Sequence, residues 1–242
     1  MNASTNDAKA PADSRILVWD LPVRLFHWLL ALSFAGAWVT ADSERWRDVH
    51  IVLGYTAGLL VVLRLAWGVV GTRHARFASF VRGPRRVAAY VRSLVAGRPE
   101  HATGHNPAGG WAILALLALT LAIVATGLVV EADAGPRGLD EVHEALATAM
   151  LAVVAIHVAG VVVGSLAHRE NLVRAMVTGR KRGSPGDAIR GPRRVAAALL
   201  LALVAGVWTG VLPTPGLATP SGLTAITAST TAGAHDRDRD DD

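Results

Sequence analysis

Four of the nine histidines lie in or at the mouths of long apolar runs: His27, His50, His143 and His157. An ionisable ring inside an apolar span is costly, so each is a functional candidate facing other helices rather than lipid. His143 and His157 share the fourth of these runs. On one helix they would be separated by about 21 Å along the axis and roughly 3.9 turns, so both rings point to nearly the same side. His50 opens the second apolar run and His143 the fourth, which places both near one surface. His27, just past Arg24, sits near the other surface, level with His157. Taken singly, a buried histidine usually serves to hydrogen-bond one helix to another. Four at two matching depths are better explained as two pairs, His50 with His143 and His27 with His157. Two imidazoles facing each other from different helices supply both axial positions of a six-coordinate b-type haem iron. Two such haems along the membrane normal would form an electron path.

Other residues near these levels fit the same chemistry. Gly54 and Gly58, and Gly160 and Gly164, form G-x-x-x-G patterns close to His50 and His157. They would admit a flat macrocycle, or simply let helices pack closely. Arg64 follows His50 by about four helical turns, at the inner level within an apolar run. It suits a haem propionate, or it snorkels to the interface. His105, in the turn-forming GHNPAGGW, is a candidate contact for a propionate or a quinone headgroup. His74, His101 and His168 in arginine-rich segments, and His235 near the end, read as solvated.

The elements that must carry these residues are apolar helices. The chain has 242 residues, 52% of them hydrophobic and only 18% charged, with a mean hydropathy of +0.37. Five runs stand out, at about Leu25–Ala41, His50–Val70, Trp111–Val130, Val142–Ala167 and Val195–Leu212. Each approaches the roughly 20 residues that cross a bilayer. There are no cysteines, which excludes disulfides, thiolate-held iron–sulfur clusters and covalently attached haem. The net charge of +5 does not point to nucleic acid, because the arginines flank apolar runs. The expected fold is therefore all-α: a four-helix haem-binding membrane bundle plus a fifth transmembrane helix.

Charge sets the expected orientation. Residues Gly71–Gly110 carry seven arginines against Glu100, and His168–Arg194 carry eight Lys/Arg against Glu170 and Asp187. Ala41–Val49 and Glu131–Glu144 are rich in acids instead. Basic loops stay in the cytoplasm, so the N-terminus is expected inside and, after five spans, the C-terminus outside. The first fifteen residues show no cleavable signal peptide. Pro84–Leu94 reads as a basic amphipathic helix along the membrane surface, and RGPRRVAA recurs at Arg82–Ala89 and Arg190–Ala197. The expected organisation is a disordered N-terminus at 1–14 and a di-haem membrane domain at 15–182. A linker with the extra helix follows at 183–212, then a disordered acidic tail at 213–242.

The motifs VWDLPVRLFHW (Val18–Trp28), DVHIVLGY (Asp48–Tyr55), GTRHARF (Gly71–Phe77), GHNPAGGW (Gly104–Trp111), LDEVHE (Leu139–Glu144) and AIHVAG (Ala155–Gly160) resemble the bacterial cytochrome b561 family. That family also includes the b-type subunit of nickel–iron hydrogenases. The resemblance spans about Arg15–Arg182 and implies that His27, His50, His143 and His157 correspond to axial ligands of two haem b. The expected function is electron transfer in the bacterial inner membrane, with quinone (ubiquinone or menaquinone) on one side. The resemblance implies a periplasmic c-type cytochrome, or a dehydrogenase or hydrogenase subunit, on the other, and a homo-dimer is compatible with it. Two other readings stand beside it: a superoxide:quinone oxidoreductase acting alone, which the acidic outer loops disfavour, and a haem-free membrane scaffold. An intramembrane non-haem metal enzyme would want H-x-x-x-H on one membrane helix, and none of the apolar runs carries such a pair.

Overall fold

The computed structural model describes residues 14–98, 100, 102–217, 224 and 226. Most of the polar N-terminus, most of the C-terminal tail, His101 and His235 lie outside the described residues. Four long apolar helices dominate: α1 (Leu21–Thr40), α2 (Arg47–Val70), α5 (Pro107–Glu131) and α6 (Leu139–Ala167). Each is long and apolar enough to cross a membrane. Between α2 and α5 lie the single turn α3 (Phe77–Phe80) and α4 (Pro84–Val95), and after α6 come α7 (Leu172–Thr178) and α8 (Arg194–Trp208).

Local chemistry sets where the spans begin. Asp20 caps α1 by accepting from the Val23 amide, with Pro22 in the first turn. Asn106 caps α5 in the same way through the Gly109 amide, followed by Pro107. A short polar side chain before a proline satisfies free amides that an apolar helix start would leave bare. These caps place the starts of α1 and α5 four residues ahead of the apolar runs. They also keep Trp19 and His105 in fixed turns just outside the helices.

Helices α1 and α2 pack closely, as do α5 and α6, and α2 joins α5. Neither α1–α6 nor α2–α6 is among the closely packed pairs. Helix α6 is correspondingly bare, with Met150 and Gly164 its buried residues. At the end bearing the acidic segments, Arg47 on α2 holds Glu131 of α5 through both carboxylate oxygens at 2.6 and 2.7 Å.

At the opposite, basic end the chain forms a cap that the hydropathy pattern did not announce. Strand β1 (Ser14–Leu17) pairs antiparallel with β2 (Arg180–Gly183), so residues before the first span are tied to residues after the fourth. The amides of Val18 and Trp19 donate to the Gly179 carbonyl at 2.8 and 3.0 Å. Four-residue strands rich in arginine carry no alternating apolar signal, and their pairing is decided by proximity.

The fifth apolar run differs from expectation. Helix α8 has 15 residues, about 22 Å at the usual helical rise, and it ends at Trp208 rather than Leu212. Gly210 takes a left-handed conformation at φ 76°, and the Leu212 amide donates back to the Gly206 carbonyl at 2.8 Å. That is a glycine stop, with Pro213 just beyond it. The chain then continues to the acidic end, where Tyr55 Oη donates to the Pro215 carbonyl at 2.8 Å and Gly216 lies against Glu131. The run thus reaches from one end of the bundle to the other as helix plus a non-helical segment.

A fusion experiment tests this path. A reporter placed after Asp242 should be active only on the outer side, and one in Arg82–Arg98 only in the cytoplasm. Activity of both on the same side would mean that α8 and its extension turn back.

Candidate haem-binding site

At the acidic end, the rings of His50 on α2 and His143 on α6 face each other with centroids 6.3 Å apart and planes at 69°. Each ring is held from behind. His50 Nδ1 lies 2.8 Å from the Ala37 carbonyl of α1, and a carbonyl can only accept, so Nδ1 carries the proton. His143 Nδ1 lies 3.0 Å from Thr126 Oγ1 on α5. That hydroxyl is also 2.9 Å from the Ala122 carbonyl, to which it donates, leaving its lone pair to accept the Nδ1 proton. In both rings the Nε2 lone pair is therefore free to bind a metal, the usual arrangement behind a histidine ligand. Gly127 makes room for this: a Cβ there would stand 3.0 Å from His143 Cε1.

At the basic end, His27 on α1 and His157 on α6 face each other at 6.4 Å and 52°. Trp28 stands edge-on to His27 at 4.8 Å, and His27 Nδ1 is buried with no hydrogen-bond partner. The two pairs link helices that do not otherwise pack closely, so each spans a gap in the bundle.

The separations suit one metal between each pair of rings. Metal–imidazole bonds of about 2.0–2.1 Å on each side, plus about 1.1 Å from nitrogen to ring centre, place two such rings roughly 6.3 Å apart. The glycine patterns divide. A Cβ on Gly54 or Gly160 would meet nothing within 4 Å, so both border open space. Gly58 instead packs against Val124 of α5, and Gly164 against Leu172.

Next to the lower pair lies a buried polar cluster. Arg64 is 7% exposed. Its Nη2 donates to the Ala75 carbonyl at 3.2 Å, its guanidinium sits 5.1 Å over the Phe77 ring, and its Nη1 is buried without a partner. His105 is held between Trp19, at 4.4 Å, and Phe80, at 4.8 Å. Its Nε2 is likewise buried and unpartnered. Burial, reinforced by the charges of Arg64 and Lys181, holds the His105 imidazole well below its usual pKa, so the ring is neutral near pH 7.

Several members of this cluster carried no signal strong enough to single them out. Asp20 is fully buried and accepts from Thr72 Oγ1 at 2.6 Å and Trp67 Nε1 at 3.1 Å. Lys181, 6% exposed, donates to the carbonyls of Ala102 and Gly104. His74 was expected in solvent, yet it is 8% exposed and its Nε2 lies 2.8 Å from the Asp187 carbonyl. His168, also expected in solvent, lies 3.3 Å from the Tyr90 hydroxyl. Lys181, on β2 itself, and His74, against the turn after β2, are enclosed at this capped end although their local sequence is merely basic. The aspartate before Pro22 was the one legible sign, because its capping role fixes it at a helix mouth.

The donor set fits a b-type haem: paired imidazoles, a gap between helices, and buried guanidinium and imidazole groups for anionic substituents. The family model for prokaryotic cytochrome b561 matches residues 18–179, which include the four long helices and all four histidines. No curated protein and no solved structure matches the chain. The match covers well over half of the chain, and the chain belongs to the prokaryotic cytochrome b561 family, the multi-pass membrane b-type cytochromes of electron transfer.

Proposed function

We propose that this cytochrome holds two haem b, one between His50 and His143 and one between His27 and His157, and passes electrons between the quinone pool and a periplasmic redox partner. The observation that carries the proposal is the pair of imidazole facings at 6.3 and 6.4 Å, on helices that leave a gap between them. The basic end faces the cytoplasm, as the excess of arginine in its loops requires. Bound haem supplies one-electron chemistry; the protein supplies position, orientation and exclusion of water.

Individual residues have separate tasks in this reading. Ala37 and Thr126 fix the tautomers of the outer ligands. Arg64 and His105 hold anionic or carbonyl oxygens at the inner level, either propionates or a quinone headgroup, through the two nitrogens the protein leaves unpartnered. A neutral His105 offers one donor and one lone pair, which suits a carbonyl that becomes a hydroxyl. A cavity of about 310 Å³ lined by His74, Tyr90, His105 and Asp187 offers room for water and proton exchange beside it. The outer partner is a c-type cytochrome, or a dehydrogenase or hydrogenase subunit.

Stoichiometry tests the proposal directly. A pyridine haemochrome assay on the purified protein should give two protohaems per chain, and the oxidised spectrum should be low-spin. One haem or none per chain would sink it.

A further inference from the structure

We propose that Met150 bridges the two haem sites and sets the electronic contact between them. The inference rests on the two-haem reading above and adds a residue that the histidine pattern does not contain.

Helix α6 supplies one imidazole to each level, and Met150 lies seven residues after His143 and seven before His157. Seven residues fall about 20° short of two full turns and advance roughly 10.5 Å. All three side chains therefore share one face, with Met150 midway between the two rings. On the middle of this bare helix Met150 is the buried residue, at 4% exposed. The other helices bring buried residues to corresponding positions. Ser33 lies six residues past His27 on α1, Ala57 seven past His50 on α2, and Thr120 six before Thr126 on α5, with exposures of 4, 8 and 6%. These four residues, Met150 included, are thus buried at the height between the two imidazole levels, and three of them are small. Of these four, Met150 alone has a long, flexible and polarisable side chain.

A thioether on three rotatable bonds suits this place. It fills irregular space and makes favourable contact with aromatic edges, and the rim of a porphyrin is aromatic. Met150 keeps water out of the interval between the levels and provides sulfur-mediated contact across it. It is a positioning residue and is not itself oxidised or reduced. The one electron that leaves one centre arrives at the other.

The test uses the full chain purified with its haems, comparing the parent with Met150→Ala and Met150→Leu. Three quantities are read: haem per chain, the two midpoint potentials, and the Soret circular-dichroism couplet that arises when two haems interact. Met150→Ala should keep both haems, move both potentials and weaken the couplet. Met150→Leu, close in volume but lacking sulfur, should move both potentials by less. If Met150→Ala fails to fold, Met150→Leu decides alone. Unchanged potentials and couplet in a two-haem variant would overturn the bridge, and so would a shift confined to one component. If the parent itself holds fewer than two haems, the two-haem reading has failed before any variant is compared.

Discussion

On the two-haem arrangement we propose, replacing His50 by alanine should cost one of the two haem signals, and replacing His143 should cost the same one. His50 and His143 face each other at 6.3 Å. On that proposal, removing either ring would leave the opposite imidazole as the sole protein ligand at that level, so the haem there should turn high-spin or be lost. His27→Ala and His157→Ala should do the same to the other component, while the first keeps its spectrum and potential. The double variant His50→Ala/His143→Ala should resemble either single variant, because the two residues act as one unit. Potentiometric titration of purified variants, followed in the α-band, identifies which component disappears. Loss of the same component in His50→Ala and His157→Ala would mean that the pairing is wrong and the electron path must be redrawn.

The second large effect should come from a residue outside the four histidines. Asp20 is fully buried and accepts from the Val23 amide, Trp67 Nε1 and Thr72 Oγ1. It also supplies the negative charge that acts on Arg64. Asp20→Ala leaves three buried donors without their acceptor and uncaps α1. At about 1–3 kcal/mol for each buried group left unsatisfied, the loss is about 3 kcal/mol or more. For a chain of this size that is roughly a 10 °C fall in the apparent melting temperature in detergent. Asp20→Asn keeps the cap but turns an amide NH₂ toward other donors, so it should fall between. A melting temperature for Asp20→Ala within about 2 °C of the parent would show that water replaces the carboxylate at little cost.

The residues differ in how far their positions could be read without the fold. The four spans were legible because lipid demands about 20 apolar residues in a row, and that demand is local. Helices α1, α2, α5 and α6 start within four residues of the expected runs, and the differences trace to the caps at Asp20 and Asn106 and to the polar first turns of α2 and α6. The depth of each histidine was legible for the same reason, because the constant rise of a helix converts position in a span into height. Matching heights on different helices were enough to propose the partners.

Rotation and burial were not legible. That Gly58 packs on Val124 while Gly54 borders open space depends on which helix lies alongside α2, and the G-x-x-x-G spacing is the same for both uses. That Arg64 is enclosed at all depends on α3 and the Ala75 turn, which close over it. His74 and Lys181 look like ordinary members of basic loops. They are buried because β1, ahead of the first span, pairs with β2, which follows the fourth. The sequence by itself determined which segments enter the membrane and at what height each imidazole sits, because the bilayer acts on every residue through local hydropathy. The tertiary structure decided which polar groups are closed in at the basic end, because that enclosure is made by contacts between segments that carry no local sign of each other.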